Sequence, residues 1–143
     1  MKKSNMGKSI LTVLVMVVLG IVFIIVPYIS GLNKDIHTQL KEIVAEANRN
    51  PEESIPTANG VRFDKLSIPK PLTLQYTYTF LNAVVTEMNV SETEVQLKTV
   101  LGDLLKAEQG IDIFRSNGVT IQYECKDKNG ARMFTIEFLP GEY

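Results

Sequence analysis

Hydrophobic positions along the chain follow three patterns, and each predicts a different element. The first is unbroken. Residues 10–26 read ILTVLVMVVLGIVFIIV with no charge, and the apolar character continues through PYISGL to residue 32. A helix needs about 20 apolar residues to cross the hydrocarbon layer of a bilayer. A soluble core helix would keep a polar face, which this run lacks. The run therefore predicts a transmembrane helix over 10–32. A cleaved signal peptide would show a shorter apolar region of about 7–15 residues and a small-x-small site. Around Pro27-Tyr28-Ile29-Ser30-Gly31 no clean pair of small residues stands, so the span reads as a signal-anchor. Lys2, Lys3 and Lys8 precede it, while Asn33, Lys34 and Asp35 follow with mixed sign. The positive-inside rule then places the N-terminus in the cytoplasm and the rest of the chain outside.

The second pattern is helical. In NKDIHTQLKEIVAEANRN, residues Ile36, Leu40, Ile43, Val44 and Ala47 form one apolar stripe, and Pro51 with ESIPTANG ends it. A longer helix opens at Ser91-Glu92-Thr93-Glu94, which reads as a capping box. Leu97, Val100, Leu101, Leu104 and Leu105 follow on one face. It frays near Gln109-Gly110, and residues 111–114 add a short helical turn or an extended piece.

The third pattern is strict alternation, the mark of half-buried strands. VRFDKLS precedes the clearest of them as a further strand segment, and Pro69 and Pro71 place the next residues in a connection. Leu72, Leu74, Tyr76, Tyr78 and Phe80 then alternate with Thr73, Gln75, Thr77 and Thr79. Val119, Ile121, Tyr123 and Cys125 alternate with Thr120, Gln122, Glu124 and Lys126. Asp127-Lys128-Asn129-Gly130 closes a hairpin, with Asn-Gly suited to positive φ. The return strand sets Phe134, Ile136 and Phe138 on one face. The predicted fold class is α+β: an N-terminal transmembrane helix, then a small α-β-β-α-β-β domain. Its sheet is expected to be four-stranded and mostly antiparallel, with helices on one face. The expected divisions are a cytoplasmic tip (1–9), the span (10–32), a juxtamembrane helix (33–50) and a periplasmic domain (51–143).

Composition changes this picture little. The 143 residues carry 15 basic and 16 acidic side chains, a net charge of −1, but three of the lysines sit on the tip and leave the outer body acidic. Nothing here suggests nucleic-acid binding. Cys125 is the only cysteine, which excludes an internal disulfide and a lipoprotein anchor beside the span. His37 is the only histidine, and no Cys/His spacing suits a metal. No nucleophile elbow, phosphate loop or zinc-hydrolase motif is present, so no enzyme activity and no cofactor are expected. The acidic pairs Glu52-Glu53 and Glu92/Glu94 fit a loop and a helix N-terminus.

Two surfaces remain as functional candidates. The aromatic set Tyr76, Tyr78, Phe80, Tyr123, Phe134 and Phe138 is either the core face of the sheet or the lining of a ligand groove. The opposite face, carrying Thr73, Gln75, Thr77, Thr79, Gln122 and Glu124, is either bare to solvent or a flat partner-docking surface.

Two motifs carry a resemblance. Leu72-Thr73-Leu74-Gln75-Tyr76-Thr77-Tyr78 has the form L-T-x-x-Y-x-Y. Gly118-Val119-Thr120-Ile121-Gln122-Tyr123, followed by Asp127 and Gly130, has the form G-V-T-x-x-Y-x-x-x-D-x-x-G. In this respect residues 60–138 resemble a group of small, uncharacterised bacterial envelope proteins. Cys125 stands where those proteins usually carry an aromatic residue, and the helix cysteine they often have is absent. The resemblance implies a fold and an envelope location; it brings no catalytic residues. The expectation is a single-pass inner-membrane protein in contact with the bilayer through 10–32, whose periplasmic domain binds another envelope component. The alternative is a membrane-tethered ligand sensor or carrier with an aromatic-lined pocket.

Overall fold

The structure is a computed structural model, and it describes residues 35–51 and 60–143. The predicted tip and span, with the orientation read from their charges, lie outside the described residues. Among the described residues no helix is long and apolar enough to cross a membrane.

Asp35 starts the first helix, α1 (Ile36–Arg49), by accepting from the backbone N–H groups of His37 (3.0 Å) and Thr38 (3.3 Å). Its other oxygen accepts from the Thr38 hydroxyl at 2.6 Å. That hydroxyl, with the Thr38 amide, holds the Asp35 carboxyl below its ordinary pKa. The apolar stripe is as expected: Leu40, Ile43 and Ala47 are buried, and α1 packs on strand β1 (Val61–Ser67).

Strand β2 (Thr73–Phe80) pairs antiparallel with β1, and a bulge at Asp64 keeps the apolar residues of both on one face. Leu72 is not part of the strand. It lies in the preceding turn at φ 54°, where its carbonyl accepts from Thr120 N–H at 2.7 Å. A non-glycine residue rarely adopts this region; here it lets the chain leave the Pro69–Pro71 turn already aligned with the third strand.

After a 3-10 turn (Val85–Glu87) comes helix α2 (Val90–Ala107), then a 3-10 turn (Gln109–Ile111) and the short helix α3 (Asp112–Ser116). The cap of α2 lies two residues earlier than expected. Asn89, not Ser91, accepts from the Glu92 N–H, and the Glu92 carboxylate takes the Asn89 amide at 3.0 Å. Strands β3 (Thr120–Lys126) and β4 (Arg132–Phe138) form the expected hairpin. Of the Asn-Gly pair, only Gly130 takes a positive φ (81°). The Gly130 N–H bonds back to the Asp127 carbonyl at 3.0 Å, a three-residue connection rather than a two-residue turn.

The sheet order is β1-β2-β3-β4. The outer pairings are antiparallel, but the central β2–β3 pairing is parallel, so the sheet is mixed. The reason is the connection. A hairpin turn forces antiparallel neighbours, whereas the long crossover through α2 returns the chain to the same end of the sheet. The parallel register sets Leu74 beside Ile121, Tyr76 beside Tyr123 and Tyr78 beside Cys125. These residues, with Phe63, Phe80, Phe134, Ile136 and Phe138, share one core with the buried stripes of α1 and α2.

Candidate docking surfaces

The aromatic stripe is core. All six of its residues are buried. Tyr76 stacks on Tyr123 with centroids 5.3 Å apart and 18° between planes, and Tyr123 meets Phe138 edge-on at 6.2 Å. Burial drives the phenols of Tyr76, Tyr78 and Tyr123 well above their usual pKa. The hydroxyls of Tyr78 and Tyr123 have no hydrogen-bond partner among the described residues. Tyr143 folds back beside them. Its hydroxyl donates to the Val119 carbonyl at 2.6 Å, and burial pushes its pKa up to about 12 against the opposing effect of Arg115. Arg115 lies 5.6 Å from the Tyr143 ring centroid and also donates to Asp112 and to the Leu105 carbonyl, which ties α3 to the end of α2.

Alternation brings the six residues expected on the opposite face together there. Thr73, Thr77 and Thr79 are nonetheless buried, and Gln75, Gln122 and Glu124 are half-buried. In register, the short Thr77 stands between Lys65 and Glu124, two long side chains. The polar groups are largely paired with one another. Gln75 donates to Glu124 at 2.9 Å, Gln122 donates to Glu137, and the Thr79 hydroxyl donates to Asp64 at 2.6 Å. Asp64 in turn binds Arg62 at 2.7 Å. The Thr77 hydroxyl is the exception, with no partner among the described residues.

The reactive residue types have structural surroundings. Cys125 is buried, and its thiol is pushed far up in pKa by that burial and by the charges of Glu124 and Glu94. His37 is exposed on the first turn of α1. Asp127 is buried where the hairpin meets the 3-10 turn, accepting from Val85 N–H (3.1 Å), Asn129 N–H (2.9 Å) and Ala131 N–H (3.0 Å). Those bonds, the one from Val85 foremost, hold its carboxyl below the usual range. Among the described residues no group of three or more His, Cys, Asp or Glu could hold a metal ion.

A further surface lies beside β4. A groove of about 500 Å³ runs between α2 and the end of the sheet, lined by Val95, Lys98, Thr99, Gly102, Phe138 and Glu142 among others. Val95 is 66% exposed, and Leu139, which follows Phe138, is 51% exposed. Both are large apolar side chains left in water. Lys98 pairs with Glu142 at 3.8 Å and sits 5.8 Å from the Phe138 ring centroid. Gly102 forms part of the floor. A Cβ there would meet Phe138 at 3.2 Å, so glycine lets α2 settle close to β4. Two signals marked this site in the sequence. Val95 is apolar but off the buried stripe, and a glycine inside a helix costs about 1 kcal/mol relative to alanine.

A domain of unknown function, DUF8479, matches residues 35–134. The chain belongs to this family. The DUF8479 match takes in every element from α1 to β3 and the first residues of β4, so the α2 wall of the groove lies inside it and Phe138 and Glu142 beyond it. No curated protein matches the chain. Two solved structures share the fold. One is a candidate secreted protein from Pseudomonas aeruginosa, 15% identical with a TM-score of 0.59, covering 79% of this chain and 98% of its own. The other is the type II secretion system pilotin AspS from Vibrio cholerae, 11% identical with a TM-score of 0.50, covering 74% of this chain and 94% of its own. At these identities the likeness is one of fold.

Proposed function

We propose that this DUF8479 protein is a non-enzymatic, single-pass protein of a bacterial inner membrane, anchored through residues 10–32, whose periplasmic domain binds another protein of the envelope. The observation that carries the reading is the groove beside β4, lined by Phe138 and by the exposed Val95, with the exposed Leu139 following Phe138 in the chain. The chemistry of the rest supports it. The thiol and three phenols are shut in the core, and Asp127 is occupied in holding a turn. The neighbours in fold are in keeping with an extracytoplasmic, partner-binding role, since one is described as secreted and the other as a secretion-system pilotin.

The test is purification of the tagged full chain from native membranes in detergent. One envelope protein should return in stoichiometric amount, and the two purified components should re-form the complex. A monomer that returns alone would refute the reading. The orientation has its own test. A reporter active only in the periplasm, fused after Tyr143, should be active, and activity of a cytoplasmic reporter instead would overturn the topology.

A further inference from the structure

We propose that the slot between α2 and the outer edge of β4 receives an extended segment of the partner polypeptide, which pairs with β4 as a fifth strand. This rests on the partner-binding reading above and names the chemistry the partner must bring.

The two edges of the sheet are treated differently. On β1 the Asn48 side chain of α1 reaches down, donates to the Leu66 carbonyl at 2.7 Å and accepts from the Leu66 N–H at 2.8 Å. It fills the place another strand would take; a bulge interrupts both edge strands, at Asp64 in β1 and at Met133 in β4, so the edges differ by the Asn48 cap. Among the described residues β4 is bonded on one side only, to β3, and no side chain is bonded to the outward backbone groups of Arg132–Phe138.

Geometry makes that open edge a slot. Of the four strands, α2 lies closest to β4, drawn in by the contact of Gly102 with Phe138. A helix is about 10 Å across and strands are about 4.8 Å apart, so α2 overhangs the edge by roughly one strand's width. The groove lies under that overhang, and the exposed Val95, Thr99 and Lys98 of α2 face whatever lies beside β4.

The same overhang stands against an antiparallel pairing with a second copy of this chain, which would set both α2 helices on one face of the joined sheet. Two β4 strands paired edge to edge would bring their α2 helices to about 5 Å between axes, and packed helices need about 8–10 Å. The occupant must be a strand with no helix of its own on that side. Charge narrows it further. Lys98 is already paired with Glu142, and Glu137 already accepts from Gln122, with Lys70 at 3.9 Å. Asp103 and Lys106 at the far end of the groove are of opposite sign. A near-neutral segment fits, with small apolar side chains at every second position turned toward Val95 and Phe138 and polar ones on the other side.

The test uses the full chain in detergent micelles, with a random-peptide phage library as probe. Enriched sequences should alternate apolar and polar residues. A synthetic copy should bind in extended form and slow backbone amide exchange in β4 by about tenfold. Val95→Glu and Thr99→Arg, both at exposed positions, should each weaken binding about tenfold, or about 1.4 kcal/mol; Lys41→Ala on α1 should leave it unchanged. The proposal is overturned if no peptide is enriched, if protection falls on β1 or the threonine face, if the peptide binds as a helix, or if both slot variants bind fully. The two readings fail separately. A native partner that stays bound to Val95→Glu refutes the slot and leaves partner binding standing. A peptide strand at β4 with no partner in native membranes does the reverse.

Discussion

The two faces of β2 are built from the same eight residues and hold together by different means. On one face Leu74, Tyr76, Tyr78 and Phe80 are buried under two helices, and packing is so dominant that the Tyr78 hydroxyl goes without a partner among the described residues. On the other, Thr73, Gln75, Thr77 and Thr79 lie among longer polar side chains that bond to one another. Burial on the first face comes from apolar contact, which is non-directional and tolerates a wasted hydroxyl. Order on the second comes from hydrogen bonds, each of which is lost if one partner goes.

The contrast can be tested, and the largest effect is on pH. Unfolded tyrosines ionise near pH 10, while burial keeps Tyr76, Tyr78 and Tyr123 neutral in the folded chain. Above pH 10 the unfolded state therefore holds fewer protons, and stability falls as pH rises. Each tyrosine contributes about 1.4 kcal/mol per pH unit. Denaturant melts repeated from pH 9 upward should show the steep loss, and a flat profile to pH 12 would contradict a closed aromatic face. Next is truncation: Tyr76→Ala should destabilise by about 3–5 kcal/mol through loss of a stacked, buried ring.

Smaller effects separate the hydrogen bonds that matter from those that are missing. Thr79→Val removes the bond to Asp64 and should cost about 1–2 kcal/mol. Thr77→Val, one pleat away, removes a buried hydroxyl that has no partner and should stabilise by about 1 kcal/mol. If both changes cost the same, the second face is held by packing after all. Tyr123→Phe on the core face should likewise stabilise by about 1 kcal/mol and move the alkaline transition to higher pH. Smallest of all, a double-mutant cycle on Gln75 and Glu124 should return less than about 1 kcal/mol of coupling, as for partly exposed polar pairs.

Much of this architecture was legible in the sequence, because alternation and helical spacing report burial directly. The stripe of α1, the stripe of α2 from Leu97 to Leu105, the face of β2 and the β3–β4 hairpin all stand where the pattern puts them. What the pattern cannot carry is pairing. Alternation in β2 and β3 is the same whether they run parallel or antiparallel, and only the crossover through α2 decides. Leu72 fits the alternation but lies in a turn, since side-chain chemistry does not show a φ of 54°. Ser91 and Asn89 are both good caps, and the choice between them rests on where the chain leaves the 3-10 turn. The pattern shows the polar face only as a set of residues; that its threonines are buried and its carboxylates paired depends on cross-strand neighbours. The groove is not legible as a surface for the same reason, since its walls, α2 and β4, meet only in the fold, although Val95 and Gly102 each stand out in the α2 pattern.

The parallel junction also bears on how the domain is made. Every rung between β2 and β3 joins residues roughly fifty positions apart, so this pairing closes late and slowly. The β1–β2 hairpin can form from local contacts as soon as β2 is complete. It must then wait, with the uncharged sequence TLQYTYTF presenting an unpaired edge, until α2 has formed and β3 arrives. In that interval β2 is the most association-prone strand of the protein. Variants that delay α2, such as loss of its Asn89 cap, should therefore lower the yield of soluble protein by more than they lower the stability of what has folded.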